Sequence, residues 1–146
     1  MSAAAALTNL DIVRAIYQAF GRGDLRAIVD AMSDDIQWEA WPDNTGQRAG
    51  VPLLQARHGK QGVQEFFTEV AKFKITDFEV RDMMASDRQV TVDVRIDVTA
   101  PDGGRYVDEE LHLYTFGPDG KIARMRHYVD TAKHIAASRG EDTRAR

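Results

Sequence analysis

The chain has 146 residues, 43% of them hydrophobic, which suits one domain with a buried core. It has no cysteine, which excludes disulfides and thiolate metal sites and is compatible with the cytoplasmic location that we expect. The net charge of -4 includes no basic stripe, so nucleic acid is not an expected partner. The N-terminal MSAAAALTNL lacks a basic region and a long apolar run, so we expect neither a signal peptide nor a membrane-spanning segment.

Two helices are predicted at the start of the chain. Thr8 and Asp11 have the spacing of a capping box. The apolar residues that follow at helical spacing are Ile12, Val13, Ile16, Tyr17 and Phe20. The glycines of GRGD are expected to end this helix, and Asp24 to cap the second one.

A strand, a loop and a third helix are predicted next. Residues 36 to 41 (IQWEAW) alternate as a strand that Pro42 ends, and residues 43 to 59 have the composition of a long loop. Apolar residues at helical spacing predict a helix over 62 to 72, and strand character resumes over 73 to 81.

Residues 88 to 130 predict three consecutive β-strands joined by two tight turns. Valines and one isoleucine alternate with polar residues over 90 to 99, and PDGG and GPDGK mark the turns. Connections this short imply an antiparallel meander, whose last strand covers 122 to 129. Asp130 and Thr131 suit the N-cap of a final helix. We predict a single domain over 1–146, with an ordered core from about 8 to 135 and a flexible tail over 138–146.

This order of elements predicts an α+β fold in which helices cover one face of a curved sheet. The segments YQAFGRGDLRAIVDAMSDDIQW, RHGKQGVQEFF and YTFGPDGKIARMRHYVDTA resemble the SnoaL-like group of the nuclear transport factor 2-like superfamily. That group includes polyketide cyclases, ketosteroid isomerase and limonene epoxide hydrolase. The resemblance implies a cone-shaped barrel: a curved, mostly antiparallel sheet around a deep apolar pocket, covered by the N-terminal helices and commonly dimeric.

The same resemblance supplies candidate catalytic residues. In the comparison with ketosteroid isomerase, His112 occupies the position of the carboxylic acid that donates a hydrogen bond. Ala40 occupies the position of the general base, and Ile16, beside Tyr17, occupies that of the catalytic tyrosine. Against limonene epoxide hydrolase, Arg95 and Asp97 reproduce the R-x-D pair and His127 replaces the second aspartate. The resemblance therefore implies half of the epoxide-hydrolase arrangement and an isomerase without its base.

The orientation of the 90–99 strand is left open by the sequence. Charges that alternate with valines favour a solvated face for Arg95 and Asp97, with the valines in the core. The R-x-D resemblance instead turns this pair inward and leaves the valine stripe on the outer face, where a second copy would cover it. On that basis we predict a homodimer formed through the outer sheet face.

The two late histidines are the preferred pocket residues. His127 is expected to face inward, because the alternative would bury Arg124 and Arg126 without partners. His112 shares a face with Tyr114 and Phe116, although Leu111 and Leu113 form a rival inward set. Neutral imidazole can accept or donate a proton near neutral pH, and Asp97 or Glu110 could pair with either ring. The predicted catalytic residues are His127, His112, Asp97 and Arg95; the predicted ligand-binding residues are Tyr17, Trp38, Glu110, Tyr114, Phe116, Met125 and Val129.

Two functional hypotheses follow. One is a cofactor-independent acid–base enzyme that cyclises or isomerises a small lipophilic molecule or hydrates its epoxide; the other is a non-catalytic ligand-binding or scaffold protein. The sequence has no glycine loop for phosphate, no nucleotide fingerprint and no HxH or HExxH spacing, so neither a metal nor an organic cofactor is predicted.

Overall fold

The structure, a computed structural model, describes residues 3 to 145. Within them lie five α-helices: α1 (Ala3–Gly21), α2 (Leu25–Asp30), α3 (Thr45–Arg48), α4 (Gly59–Val70) and α5 (Thr131–Ser138). The strands are β1 (Met32–Trp38), β2 (Arg57–His58), β3 (Lys74–Ala85), β4 (Gln89–Thr99), β5 (Arg105–Phe116) and β6 (Ile122–Tyr128). Two short 3₁₀ helices cover Pro52–Leu54 and Thr143–Ala145. No helix within residues 3 to 145 is long and apolar enough to cross a membrane.

The strands form one curved mixed sheet in the order β2-β1-β6-β5-β4-β3. All neighbours are antiparallel except β1 and β6, which run parallel, so the predicted α+β class, mostly antiparallel sheet and three-stranded meander are confirmed. The sheet is open, with β2 and β3 at its edges, and does not close into a complete barrel. In the register of the meander, His112 of β5 lies between Val92 of β4 and His127 of β6.

The helices gather on the concave face of this sheet, as predicted. Helix α1 packs against β3 and β4, and α4 packs against β1. The predicted apolar face of α1 is confirmed, since Val13 and Ile16 are buried and Tyr17 and Phe20 pack against the core. The helices and the sheet therefore enclose the core, and cavities remain where their side chains do not fill the space between them.

The first 85 residues depart from their predictions in several places: for example, α4 begins at Gly59 rather than at residue 62, and β3 continues to Ala85 rather than ending at residue 81. Helix α1 begins at Ala3, and the Thr8 hydroxyl donates to the carbonyl of Ala4 inside it, so the predicted capping box at Thr8 is wrong. Strand β1 begins at Met32 rather than at residue 36. The predicted long loop contains α3, a 3₁₀ turn and β2. The Asp24 cap is confirmed: its carboxylate accepts from the amide of Ala27 at 3.1 Å, and Gly23 before it has a φ of +72°.

The structure decides which face of β4 points inward. Alternate residues Val90, Val92, Val94, Ile96 and Val98 are all buried. Arg95 and Asp97 consequently lie on the outer face, as alternation of charges with valines suggested. The valine stripe that motivated the outer-face homodimer is thus inside the molecule, and self-association stays a prediction without that support.

The C-terminal segment packs on the start of β5. The predicted cap is confirmed, because the Asp130 carboxylate accepts from the amide of Lys133 at the start of α5. Beyond α5, where the sequence predicted a flexible tail, Asp142 forms a parallel bridge with Arg105. The Thr143 hydroxyl also donates to the Arg105 carbonyl at 2.9 Å.

A close approach between α5 and β5 gives the first testable prediction. A Cβ atom at Gly104 would overlap the backbone carbonyl of Ala137. We expect Gly104→Ala to lower the free energy of unfolding by roughly 1–3 kcal/mol, because main-chain atoms must shift to relieve the overlap. Gly21→Ala, at a position with no atom within 4 Å, is the matched control. Equal urea midpoints for the two variants would contradict the predicted tight contact.

Candidate functional site

An apolar cavity of about 110 Å³ lies between the helices and the concave face of the sheet. Its walls are mainly aromatic and aliphatic side chains from α1, α4, β3 and β4. The polar side chains that reach it are Tyr17, Glu110, His112, Tyr114, His127 and His134. Concave apolar cavities with a few convergent polar groups are the usual form of a small-molecule site.

Most of the predicted site residues lie on this cavity wall. They are Tyr17, Trp38, Glu110, His112, Tyr114, His127 and Val129. Met125 and Phe116 do not. Met125 is completely buried in the core, and Phe116 follows a shift in the register of β5 and β6 and packs against the core instead.

The predicted catalytic pair Arg95 and Asp97 does not line the cavity. On the outer face of the sheet, Arg95 donates to Asp77 at 3.2 Å, and Asp97 accepts two hydrogen bonds from Arg105 at 2.9 and 2.8 Å. Residues that alternate along a strand point to opposite faces, so the buried valines hold this pair outside. The epoxide-hydrolase-like R-x-D arrangement is therefore not assembled at the cavity.

His112 is held at both ring nitrogens by buried neighbours. Its Nε2 lies 3.1 Å from Oε1 of Glu110, and its Nδ1 lies 2.6 Å from the hydroxyl of Tyr17. The Tyr17 hydroxyl in turn lies 2.9 Å from that of Tyr114. In the tautomer whose Nε2 donates to the Glu110 carboxylate, Nδ1 carries no hydrogen and accepts from Tyr17. His112 thus has no ring nitrogen left for a ligand.

The Glu110 carboxylate also connects to a third histidine, His134 of α5. Nε2 of His134 lies 2.9 Å from Oε2 of Glu110 and 3.1 Å from Oδ2 of Asp108. Asp108, Glu110 and His134 are each at most 4% exposed. The ring of Tyr106 packs on that of His134, with centroids 4.1 Å apart.

The ionisation of these groups follows from burial and their hydrogen bonds. Burial alone would raise the pKa of Glu110, but hydrogen bonds from His112 and His134 lower it to about 2. Burial alone would lower the pKa of His134, but hydrogen bonds to Asp108 and Glu110 raise it to about 9. Burial raises the pKa of Tyr114 to about 12 and that of Tyr17 well above its usual value. At neutral pH, Glu110 is therefore anionic, His134 cationic and both tyrosines neutral.

His127 differs from His112 in having one free ring nitrogen. Its Nδ1 is hydrogen-bonded to Oε1 of Glu39, whereas its Nε2 has no hydrogen-bond partner among residues 3 to 145. Burial, and then the charge of His134, lowers the pKa of His127, which keeps the resting ring neutral. When Nδ1 carries the hydrogen and donates it to Glu39, Nε2 keeps a free lone pair on a ring that lines the cavity.

The Glu39 side chain reaches His127 because of an unusual backbone conformation. Glu39 is the one non-glycine residue among those described that has a positive φ, at 56°. Alternation along β1 would place Glu39 opposite Trp38, but in this conformation both side chains are buried. Such left-handed residues cost of order 1–3 kcal/mol and concentrate at functional sites.

Comparison with protein families supports the resemblance noted in the sequence. Residues 13–125 match the SnoaL-like domain family. The chain belongs to that family. A comparison with curated proteins found no significant match.

Solved structures share this SnoaL-like fold. One is an NTF2-like protein of unknown function from Burkholderia pseudomallei, 27% identical, with a TM-score of 0.74 and coverage of 94% of this chain and 98% of that one. TerC, co-crystallised with polyporic acid, is 23% identical over 89% and 97% of the two chains, with a TM-score of 0.71. SalBIII, an epoxide hydrolase/cyclase-like enzyme in pyran ring formation in the polyether salinomycin, is 20% identical over 86% and 92%, with a TM-score of 0.64.

Three polar residues of this SnoaL-like domain escaped the sequence analysis: Glu39, Asp108 and His134. Asp108 could have been found, since it alternates in phase with Glu110 and His112 on β5. Glu39 could not, because the strand pattern of IQWEAW places it on the outer face and nothing there indicates a left-handed residue. His134 lies in the first turn of a short helix, where no periodicity predicts its contact with β5.

Asp108, Glu110 and His134 could also hold a metal ion, since one donor atom from each lies within 4.8 Å of the others. However, metal-ligating histidines nearly always donate their second ring nitrogen to a partner, and Nδ1 of His134 is buried without one. The raised pKa of His134 also means that a proton already occupies the nitrogen between the two carboxylates. The cluster therefore fits a buried ion pair better than a metal site.

Proposed function

We propose that this protein is a cofactor-independent acid–base enzyme that transfers protons on a small lipophilic molecule bound in the apolar cavity, in a cyclisation or isomerisation. The single observation that carries the proposal is the environment of His127. Its Nδ1 is hydrogen-bonded to the buried Glu39, and its Nε2 is unpartnered at the wall of the cavity. A positioned histidine with one nitrogen held by a carboxylate is the usual form of a general base.

The proposed step is removal of a proton from a carbon next to a carbonyl group. Nε2 of His127 takes the proton, the carbon–hydrogen electron pair moves to the carbonyl oxygen, and an enolate and an imidazolium form. Glu39 favours the imidazolium, because an adjacent carboxylate stabilises the positive ring. The imidazolium then returns the proton to a different atom, or the enolate carbon attacks a second group and closes a ring.

The enolate oxygen also needs a hydrogen-bond donor. The Tyr17 hydroxyl donates to His112, so the proposed donor is Tyr114, whose hydroxyl lines the cavity and can rotate from Tyr17 to the enolate oxygen. Burial keeps Tyr114 protonated by raising its pKa to about 12. Donors that are held in a dry cavity before the reaction stabilise developing negative charge more strongly than water does. SalBIII, named for epoxide hydrolase/cyclase-like chemistry in pyran ring formation, supports a reaction of this class.

Hydrogen–deuterium exchange tests the proposal without knowledge of the natural substrate. The probe is 2-tetralone, an uncharged bicyclic ketone with acidic hydrogens beside the carbonyl, incubated with the protein in D₂O. We expect mass spectrometry to show deuterium entering these positions faster than in buffer alone or with heat-unfolded protein. Saturable binding of 2-tetralone without faster exchange would contradict catalysis and favour the alternative of a ligand-binding protein.

A further inference from the structure

A second cavity of about 230 Å³ adjoins the first. The two share four wall residues: Leu53, Phe73, Tyr106 and His134. The two cavities are therefore neighbours with a common wall, and a ligand that spans both must pass these side chains.

This second cavity changes from buried to open along its length. Its inner end is formed by Tyr106 and His134, which are 2% and 4% exposed. At its outer end Asp102 is exposed, and Glu69 of α4 and Ser138 of α5 are half-buried. The second cavity, called the passage below, thus leads from solvent to the wall that it shares with the apolar cavity.

The one cation that lines this passage within residues 3 to 145, His134, is already held between the carboxylates of Asp108 and Glu110. Glu69 and Asp102 are its carboxylates, and no lysine or arginine among residues 3 to 145 lines either cavity. Glu69 forms a salt bridge with the exposed Lys72 at 2.9 Å, whereas no salt bridge within residues 3 to 145 involves Asp102. Ala137 and Ser138, in the last turn of α5, also line the passage. The C-terminal end of a helix carries partial negative charge, which favours cations.

We propose that the passage binds the cationic end of the ligand, so that the natural ligand combines an uncharged ring body in the first cavity with a protonated amine near Glu69 and Asp102. This inference rests on the proposed use of the first cavity as a ligand site, but not on catalysis there. A carboxylate at the same end of the ligand would be repelled by Asp102, which has no salt bridge within residues 3 to 145, and by Glu69, whose charge Lys72 only partly offsets. The amine is held where water still reaches it, so it avoids the cost of full desolvation.

Three probes with one shared body test the preference: 4-(2-naphthyl)butan-1-amine, 4-(2-naphthyl)butan-1-ol and 4-(2-naphthyl)butanoic acid. Their dissociation constants are measured by quenching of tryptophan fluorescence at low ionic strength. We expect the amine to bind about fivefold to tenfold more tightly than the acid, with the alcohol between them, since partly exposed ion pairs contribute modestly. Added salt should reduce the difference.

Variants without the two carboxylates test whether Glu69 and Asp102 cause the preference for the amine. The double variant Glu69→Gln with Asp102→Asn should bind the three probes with nearly equal affinity. Glu65→Gln is the control on the same helix, because Glu65 pairs with Arg57 and lines neither cavity. The control should keep the preference for the amine.

The outcomes separate this inference from the proposed function. Equal affinities in the unmodified protein, or tightest binding of the acid, would overturn the cationic end while leaving exchange of 2-tetralone intact. A preference that survives the double variant would also overturn it. Failure of all three probes to bind, together with no exchange, would overturn the cavity as a ligand site and this inference with it.

Discussion

Replacing His127 by glutamine is expected to slow the exchange of 2-tetralone by roughly 10²- to 10⁴-fold, the usual contribution of a positioned general base. Glutamine has nearly the size of histidine and can still hydrogen-bond to Glu39, but its amide cannot take a proton near neutral pH. The loss should appear in kcat, with little change in KM, because the ring is needed for the proton transfer rather than for binding. Initial rates of deuterium uptake at several ketone concentrations separate the two constants.

His58→Gln is the matched control, because it makes the same substitution at a histidine on the surface. It should leave both constants unchanged. Glu39→Gln keeps a hydrogen-bond acceptor beside Nδ1 but removes the charge. The exchange rate of this variant should therefore lie between those of the original protein and of His127→Gln. If His127→Gln exchanged as fast as the original protein, His127 would be a wall residue and the proposed step would be wrong.

Replacing His134 by leucine is expected to lower the free energy of unfolding by about 3–5 kcal/mol. The substitution removes the cation between Asp108 and Glu110 and leaves two buried carboxylates without it. Glu110 keeps its hydrogen bond from His112 and Asp108 keeps that from the Asp130 amide, but both carboxylates stay buried without their cation, which is why breaking a buried pair is costly. Urea unfolding followed by circular dichroism measures the change.

The pH dependence distinguishes this ion pair from simple packing. The pKa of His134 is raised from 6.5 to about 9, so its contribution is complete below pH 6.5 and is lost as the pH rises through about 9. The pKa of Glu110 is lowered from 4.5 to about 2, so the same contact is complete above pH 4.5 and is lost as the pH falls towards 2. The shift of His134 corresponds to about 3 kcal/mol, in keeping with the expected loss.

The difference between the original protein and His134→Leu should therefore be largest between about pH 4.5 and 6.5. His58→Leu, at an exposed histidine, should change stability by less than about 0.5 kcal/mol at every pH. A difference for His134→Leu that stayed constant from pH 5 to 9 would assign its effect to packing alone.

The fold was predictable where local patterns and long-range packing agree. Alternation and glycine turns defined β4 and β6 within about one residue and placed β5 between its two turns, and the apolar faces of α1 and α4 indicated their burial. The first four residues of β1, Met32 to Asp35, were missed because they include no alternating apolar pair that marks a strand. There the parallel pairing with β6, a contact between distant parts of the chain, decides the structure.

The sequence predicted the site residues only where alternation along a strand decides which side chains point inward. His112, Glu110 and Tyr114 share one phase of β5, and the cost of burying Arg124 and Arg126 indicated the orientation of His127. The resemblance to the R-x-D pair predicted that Arg95 points inward, whereas the valine pattern predicted that it points outward. The structure follows the valine pattern, because burying five aliphatic side chains stabilises the fold more than the placement of one ion pair. Pairings such as Glu39 with His127 depend on backbone and helix geometry that no residue pattern in the sequence expresses.

The parallel pairing of β1 with β6 also bears on the order in which the molecule is expected to fold. β3, β4, β5 and β6 are joined by short turns, so each pairing closes a small loop and can form early. Glu39 and His127, by contrast, are 88 residues apart. β1 can join β6 only after nearly the whole domain has left the ribosome. During synthesis we therefore expect β3 to β6 to pair first, and the proposed catalytic pair of Glu39 and His127 to form last.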